Sequence, residues 1–202
     1  IGVGVPVGDL NGDGRPDTAV FREGDGTWHW LDSTDGEYHA VNWGTNGDVP
    51  VAADLDGDGI LDLALCDQAN LYVFELLTGT SRVKYGFGCD GVKIGQTDVD
   101  PQLEIVLTGN FSGGFVLDSL SLTVDWADVR GFGSHFALGD FDADGRVEVA
   151  SLFQGDAGVR VQDPESGALL WELLTLPVEA LAAADLDAEP GAELVYGGQS
   201  NT

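Results

Sequence analysis

The sequence predicts an all-β fold, a β-propeller built from four-stranded antiparallel blades. A nine-residue acidic pattern recurs five times in the 202 residues, beginning at Asp9, Asp54, Gln96, Asp140 and Asp185. The copies therefore start 45, 42, 44 and 45 residues apart. Short runs rich in Val, Leu, Phe and Trp separate them, and turns of Gly, Asp and Ser bound these runs, which is typical of strands. Four strands in a repeat of about 45 residues is the composition of a propeller blade.

The whole chain is expected to form a single propeller region over residues 1–202. The last repeat contains only the first two of its four runs, so the sequence predicts about four and a half blades. We expect the remaining blades to belong to a larger propeller or to come from a partner chain. The segment 168–174 (ALLWELL) has helical propensity, but equivalent segments are β-like, so little helix is expected. The repeats cover residues 4–47, 48–90, 91–133, 134–178 and 179–202.

The acidic pattern places oxygen-bearing side chains at positions 1, 3, 5 and 9 of each loop. Alternate side chains converge on one point when the backbone curls tightly, and Gly at position 6 of loops 1, 2 and 4 permits that curl. Calcium accepts six to eight oxygen ligands in flexible geometry, so it suits such a loop better than magnesium. The residues are Asp9, Asn11, Asp13 and Asp17 in loop 1; Asp54, Asp56, Asp58 and Asp62 in loop 2; Gln96, Asp98, Asp100 and Glu104 in loop 3; Asp140, Asp142, Asp144 and Glu148 in loop 4; and Asp185, Asp187, Glu189 and Glu193 in loop 5.

The competing interpretation is that these stretches are only solvated turns, because Asp and Gly dominate turns in general. Five copies in register argue against it for loops 1, 2 and 4, whose ligand sets are complete. Loop 3 has Gln96 at position 1 and Pro101 at position 6, and loop 5 has Pro190 at position 6. These two loops are weak sites or vestigial turns, so we expect three to five bound Ca²⁺ ions.

The composition is that of a folded acidic protein. The net charge is −27, with 8 Lys and Arg against 35 Asp and Glu, and 18 of those 35 acids lie in the five loops. Nucleic acid is therefore not an expected partner, because phosphate binding needs a basic surface. No apolar run is long enough to span a membrane. The chain begins at Ile1 and contains no Met, so we expect it to be part of a longer precursor.

Three features of the sequence carry a resemblance to a known family: the five loops, the segment from Trp43 to Gly59 (WGTNGDVPVAADLDGDG), and the pairs Phe87-Gly88 and Phe132-Gly133. These features resemble FG-GAP or VCBS repeats of integrin-α-like propellers. This resemblance covers essentially the whole chain. It implies calcium sites on the face that bears the loops between first and second strands, and ligand binding on the opposite face. It also implies an extracellular or cell-surface location, where loops of this kind bind calcium at about 10⁻⁴ to 10⁻³ M.

Two cysteines and five tryptophans add further expectations. Cys66 ends a second strand and Cys89 follows a fourth strand, so the two should meet opposite the acidic loops and form a disulfide; two free thiols are the alternative. Trp43, Trp126 and Trp171 occupy similar fourth-strand positions and are expected to pack between blades. Trp28 and Trp30 share one face of a strand and are the better candidates for an exposed, sugar-stacking patch.

No catalytic constellation is recognisable. The three histidines, His29, His39 and His135, have no metal-ligand spacing, and no nucleophile triad or phosphate-binding loop is present, so no catalytic or other cofactor-binding residue is predicted. The expected function is a secreted or surface binding and adhesion module for a protein or polysaccharide. The alternatives are an accessory or catalytic domain of an extracellular polysaccharide-active enzyme, or a structural subunit of a surface assembly.

Overall fold

The described part of the chain consists of β-strands joined by turns and contains no helix, as the sequence predicts. The computed structural model describes residues 2–4, 8–76, 78–109, 113–133, 135–152, 158–174, 178–187 and 189–198. Within these ranges no helix is long and apolar enough to cross a membrane. Contacts divide the chain into two compact units, Ile1–Val92 and Lys93–Thr202.

The first unit contains two four-stranded antiparallel sheets, each with its strands in sequence order. Residues 5–7, which the sequence assigns to the strand before loop 1, lie outside the described residues. Blade 1 consists of β1 (Gly2–Gly4), β2 (Thr18–Arg22), β3 (Thr27–Leu31) and β4 (Tyr38–Asn42). Blade 2 consists of β5 (Val49–Ala53), β6 (Asp62–Cys66), β7 (Asn70–Glu75) and β8 (Thr80–Tyr85).

The other sheets repeat this order, and the last is the predicted two-stranded one. Blade 3 consists of β9 (Gly91–Gly95), β10 (Glu104–Gly109), β11 (Gly113–Asp118) and β12 (Val124–Asp128). Blade 4 consists of β13 (Phe136–Gly139), β14 (Glu148–Leu152), β15 (Val159–Gln162) and β16 (Leu169–Leu173). The half blade consists of β17 (Ala180–Ala184) and β18 (Glu193–Gly197). The ambiguous ALLWELL segment is thus a strand, β16.

The second strands are the most buried parts of blades 2, 3 and 4. Every residue of β6 and β14 is buried, and in β10 only the final glycine is not. Strands covered on both faces read as nearly continuous apolar runs, which explains LALC and IVL in the sequence. The fourth strands β4 and β16 are largely exposed. In blades 2, 3 and 4 the second strand is therefore the part that lies deepest in the core.

Apolar side chains from successive sheets interdigitate within each unit. Between blades 1 and 2 the core includes Phe21, Trp28, Leu63 and Leu65. Each large side chain buried in this way contributes about 1.5–3 kcal/mol. In the second unit, one buried cluster joins blades 3 and 4, and another joins blade 4 to the half blade. The repeating unit is thus a sheet that buries its faces against neighbouring sheets, as a propeller blade does.

The Phe-Gly pair before blade 4 has a steric explanation. Phe132 is completely buried, and its ring stacks on Trp126 with the centroids 5.5 Å apart. Gly133 has a φ of +75°, and a Cβ there would lie 1.6 Å from the carbonyl oxygen of Leu152. Only glycine permits that approach, because it has no Cβ. Phe132 thus fills the core, and Gly133 lets the chain pass the end of β14.

The predicted disulfide is present. Cys66 and Cys89 are bonded with their Cα atoms 5.7 Å apart, and the Cys89 N–H also donates to the carbonyl of Asp67 at 2.9 Å. In blade 2, Val49 pairs with Cys66 at one end of β5 and β6, while Ala53 pairs with Asp62 at the other. The disulfide therefore lies at the end of blade 2 opposite loop 2, as predicted.

Two expectations about the tryptophans are wrong: the exposed patch at Trp28 and Trp30, and the packing of Trp171 between blades. Trp28 is only 1% exposed and contacts Phe21, so it belongs to the core and not to a surface patch. Trp30 is partly buried and stacks on His39. Trp43 and Trp126 do pack against the cores of their units, but Trp171 is 39% exposed on the outermost strand of blade 4.

Candidate metal centres

All five acidic loops connect the first strand of a sheet to the second, so all have the same structural position. In loops 1, 2, 4 and 5 the residue before position 1 pairs with the residue at position 9, which closes the loop. Ala53 pairs with Asp62 in loop 2, Gly139 with Glu148 in loop 4, and Ala184 with Glu193 in loop 5. This register holds the first and last predicted ligands at the same end of the sheet.

The carboxylate at position 9 has the same backbone partner in every loop. One of its oxygens accepts a hydrogen bond from the N–H of position 2, as from Leu55 to Asp62 at 3.1 Å and from Phe141 to Glu148 at 2.6 Å. The same bond occurs in loops 1, 3 and 5. In loops 1 to 4 this carboxylate is at most 4% exposed. An ionisable carboxyl group is thus buried at the base of each of these loops.

The carboxylate at position 1 organises the rest of the loop. Asp9 accepts hydrogen bonds from four backbone N–H groups, those of residues 11–14, at 2.6–3.3 Å. Burial acts to raise the pKa of Asp9, but these four bonds outweigh it and hold the pKa below its ordinary value. Asp54 and Asp140 accept comparable bonds. The aspartates at positions 3 and 5 each cap the N–H two residues on, so the backbone curls as the pattern predicts.

Four loops bring at least three carboxylates together, with one oxygen of each within 4.8 Å of the others. Loop 4 assembles its complete set of four predicted ligands. In loop 2 Asp62 lies outside the group, and in loop 5 Glu189 does. The groups are Asp54, Asp56 and Asp58 in loop 2; Asp98, Asp100 and Glu104 in loop 3; Asp140, Asp142, Asp144 and Glu148 in loop 4; and Asp185, Asp187 and Glu193 in loop 5.

Loop 1 is arranged differently, because the turn between β3 and β4 engages two of its predicted ligands. Asn11 Nδ2 donates to Asp32 at 2.5 Å, and Thr34 Oγ1 donates to Asp13. Asp17 remains buried and accepts from Leu10 and from Ser33. The side chains at positions 3 and 5 would have to turn toward Asp9 to complete a site.

Loop 3 contains a buried oxygen that has no hydrogen-bond partner among the described residues. Glu104 is fully buried, and its Oε2 accepts from Thr97 at 2.5 Å, whereas Oε1 makes no hydrogen bond. An unpaired buried carboxylate oxygen is costly, and a cation beside Asp98 and Asp100 would satisfy it. Gln96 at position 1 donates its amide to the carbonyls of residues 98 and 100. This oxygen-only donor set fits a hard divalent cation.

Crowding of charge changes the protonation of the position 9 carboxylates. Burial, together with the neighbouring loop aspartates, raises the pKa values of Asp62, Glu104 and Glu148 to about 7. In loop 4, Arg146 at position 7 pairs with Asp144 and with Glu165, and its guanidinium holds the pKa of Asp144 below its ordinary value. A cation in loop 4 would therefore compete with Arg146 for one carboxylate.

These pKa values predict that the metal-free protein loses stability as the pH rises. Asp62, Glu104 and Glu148 titrate near 7 in the folded state but near 4 when unfolded, so between these values the folded state binds more protons. The melting temperature in EDTA should therefore fall from pH 5 to pH 8, measured by circular dichroism. Carboxylates whose pKa is lowered, such as Asp144, titrate below this window. A Glu148→Gln variant should show a shallower fall, and a melting temperature that rises with pH in EDTA would contradict the prediction.

A second concave feature lies at the opposite end of blade 2, beside the disulfide. A cavity of about 190 Å³ is lined by Trp43, Gly44, Thr45, Asp48, Leu65, Asp67 and Tyr72. Asp48 accepts from the backbone and hydroxyl of Thr45 at 2.7 and 3.0 Å. Asp67 accepts from the Tyr72 hydroxyl at 3.0 Å and caps the turn that follows it. Two carboxylates and an indole thus share one small cavity.

Sequence reasoning missed this cavity. The only available signal was length: Trp43 precedes position 1 of the next loop by 11 residues, whereas Phe87 precedes it by 9 and Phe132 by 8. The longer connection between blades 1 and 2 carries Thr45 and Asp48 into the cavity wall.

The spacing of the loops, the four-stranded sheets and the loop register agree with a match to one known repeat family. Residues 9–65 match the FG-GAP-like repeat family. The matched segment includes loops 1 and 2, the whole of β5, and β6 up to Leu65. No curated protein sequence matches the chain.

Solved structures similar to this chain are β-propellers. A lectin from Agrocybe aegerita that recognises non-reducing terminal N-acetylglucosamine aligns at 20% identity and a TM-score of 0.56, over 83% of this chain and 50% of the lectin. The Dos1 propeller aligns at 14% identity and a TM-score of 0.54, over 84% of this chain and 48% of that one. BamB from Moraxella catarrhalis aligns at 12% identity and a TM-score of 0.52, over 93% and 55%. This chain thus spans about half the length of each, and the likeness shows the propeller fold.

Proposed function

We propose that the chain is a calcium-stabilised propeller module that binds a protein or polysaccharide outside the cell. The observation that carries the proposal is the repeated loop, in which a position 9 carboxylate is hydrogen-bonded at the base and further acids gather above it. Burying such groups without a counter-charge is unfavourable. A cation at each loop would convert this repulsion into attraction and would fix the turn between the first two strands.

Calcium suits these loops better than magnesium. The donors are carboxylates, an Asn or Gln side chain and backbone carbonyls, and their arrangement differs between loops 1, 3 and 4. Calcium tolerates variable coordination, whereas magnesium requires a nearly ideal octahedron and retains its water. The residues that would hold the ions are the oxygen-bearing side chains at positions 1, 3, 5 and 9, except Gln96, whose amide nitrogen is turned to the loop carbonyls. The metal would stabilise the scaffold and take no part in chemistry.

Ligand binding is assigned to the end of blade 2 that is opposite loop 2. Both hydroxyl protons in the cavity wall are donated to carboxylates, by Thr45 to Asp48 and by Tyr72 to Asp67. No Lys, Arg or His is among the described lining residues. The cavity thus offers acceptor oxygens, negative charge and an indole, which favours a cationic, donor-rich group such as an ammonium of a basic side chain or an amino sugar.

Binding of small probes to the cavity is measured from the NMR shifts of the Trp43 indole and the Thr45 amide. Glucosamine and a lysine-containing tripeptide should shift these resonances, whereas N-acetylglucosamine and the acetyl-lysine tripeptide should shift them much less. Asp67→Asn should weaken binding of the cationic probes about fivefold, because one charge is lost while the turn-capping oxygen remains. Equal binding of neutral and charged probes would contradict this assignment.

Asp35→Asn is the matched control for that experiment. Asp35 caps Glu37 in the turn between β3 and β4. That turn is at the loop end of blade 1, because Thr18, which follows loop 1, pairs with Leu31. The variant removes the same charge far from the cavity and should leave probe binding unchanged.

The disulfide supports an extracellular location, because disulfides persist in oxidising compartments. Calcium affinities of about 10⁻⁴ to 10⁻³ M would also match the extracellular ion and not the cytosolic one. Secretion and a role in adhesion are part of the proposal. An enzyme acting on polysaccharide is the alternative class, and turnover on a glycan panel would favour it over a binding module.

Additional blades are the expected neighbours of blade 1. One face of this blade packs against blade 2 through Phe21 and Trp28, whereas the other face exposes Val20, Leu31 and Tyr38. Exposed apolar sheet faces of this kind mark interaction surfaces. We propose that further blades, from the same precursor or from another chain, cover it.

A further inference from the structure

Consecutive acidic loops are joined by a hydrogen bond that the sequence pattern does not reveal. The backbone N–H at position 8 of one loop donates to the carbonyl at position 1 of the loop before it. Three such bonds are described, from Leu61 to Asp9 at 2.7 Å, from Val147 to Gln96 at 2.7 Å and from Ala192 to Asp140 at 2.6 Å. We call this bond the clasp.

The clasp is reinforced by close packing at the same place. The side chain at position 8 lies over the glycine that precedes position 1 of the previous loop. A Cβ on Gly8 would lie 2.3 Å from Leu61 Cδ1, and a Cβ on Gly95 would lie 2.6 Å from Val147 Cγ2. On Gly139 a Cβ would lie 3.1 Å from the Cβ of Ala192. Loops 2, 4 and 5 therefore have little freedom to move independently of the loop before them.

The two ends of the clasp belong to residues at the metal centres themselves. In loops 1 and 4, position 1 supplies a ligand side chain, and its own carbonyl receives the clasp; in loop 3 the acceptor is Gln96, whose amide braces the loop carbonyls. Position 8 lies next to the carboxylate of position 9, which accepts a hydrogen bond from the N–H of position 2 in the same loop. Ordering of one loop therefore fixes the backbone of the residue that ligates in the loop before it.

We infer that metal binding at consecutive loops is cooperative, with loops 1 and 2 forming one coupled pair and loops 3, 4 and 5 one coupled series. The inference rests on the proposed binding of calcium by these loops. Coupling is reciprocal, so an ion in loop 2 raises the affinity of loop 1 and the reverse. A net hydrogen-bond contribution of about 1 kcal/mol corresponds to about a fivefold change in affinity.

The test is a double-mutant cycle read out by NMR during a calcium titration. Gly14 and Gly59 occupy position 6 of loops 1 and 2, so their amides report the two sites separately. Loop 2 is disabled with Asp56→Asn and Asp58→Asn, and the clasp is removed with Leu61→Pro. Proline is compatible with position 8, because Pro16 occupies it in loop 1. Leu61→Ala, which keeps the N–H, controls for loss of the side chain.

With the clasp intact, disabling loop 2 should raise the calcium midpoint of Gly14 about fivefold. In the Leu61→Pro background, disabling loop 2 should change that midpoint much less, and this comparison cancels the effect of the two lost charges. Disabling loop 4 with Asp142→Asn and Asp144→Asn should leave the Gly14 midpoint unchanged.

The two ways of failing are distinguishable. Equal effects of disabling loop 2 in both backgrounds would overturn the coupling while leaving calcium binding intact. Failure of Gly14 and Gly59 to respond to calcium in the unmodified chain would overturn the proposed function itself. If Leu61→Pro does not fold, Ala192→Pro gives the same cycle for loops 4 and 5, with Gly145 as reporter and Asp185→Asn and Asp187→Asn disabling loop 5.

Discussion

Removal of calcium should lower the melting temperature by about 8–16 °C. At 10 mM calcium and a dissociation constant near 10⁻³ M, each occupied site adds about 1.4 kcal/mol to the free energy of unfolding. Three occupied loops thus add about 4 kcal/mol, and each kcal/mol shifts the melting temperature of a chain of this size by about 2–4 °C. Repulsion within a chain of net charge −27 acts in the same direction once the ions leave.

The measurement is a pair of thermal melts, one in calcium and one in EGTA, at equal ionic strength. Magnesium at the same concentration is the control, and it should restore only a small part of the difference because the loops lack an octahedral donor set. Melting temperatures that agree within about 2 °C in calcium and EGTA would contradict a stabilising role for the metal.

Loss of the disulfide should be the next largest effect. The bond joins residues 23 apart in sequence, and closing a loop of this length is worth about 3 kcal/mol. The Cys66→Ser, Cys89→Ser double variant should therefore melt about 6–12 °C lower. Because Asp67 follows Cys66 directly, the cavity should lose order in parallel.

Dithiothreitol provides the control for that comparison. It should lower the melting temperature of the unmodified chain to that of the double variant and leave the double variant unchanged. A double variant as stable as the parent would show that the packing of the second strand already fixes this end of blade 2.

The period of the sequence predicted most of the fold because each repeat has the same strand order and the same loop register. The loop register places Asp62 at the start and Cys66 at the end of the same strand. The positions of loop 2 and of the disulfide, at opposite ends of blade 2, therefore followed from it. The same reasoning assigned the ALLWELL segment to a strand, since its equivalents in other repeats are β-like. Local propensity was less informative than position within the repeat.

Features that depend on neighbouring sheets were not predictable. Alternation shows that Trp28 and Trp30 share a face, but not that blade 2 covers it, so the expected aromatic patch was wrong. The diversion of Asn11 and Asp13 in loop 1 depends on a turn more than 15 residues away. The cavity depends on the length of one connection, and the clasp on the backbone of two loops.

Loop 3 shows the limit of judging sites by residue type. Gln96 at position 1 makes loop 3 the least complete by sequence, yet its Glu104 carries the unpartnered buried oxygen. In loop 4, which is complete by sequence, Arg146 already pairs with Asp144. Ligand identity predicted where the loops are, whereas burial and pairing determine how strongly each should attract a cation.

Calcium stoichiometry tests the central claim most directly. Metal-free protein is dialysed to equilibrium against about 10 mM calcium, which is roughly tenfold above the expected dissociation constant, and bound calcium is counted by atomic emission. We predict three to five ions per chain, falling by one when Asp140→Asn and Asp142→Asn disable loop 4. Less than one ion per chain at saturation would contradict the account, because the acidic loops would then be turns that hold no metal.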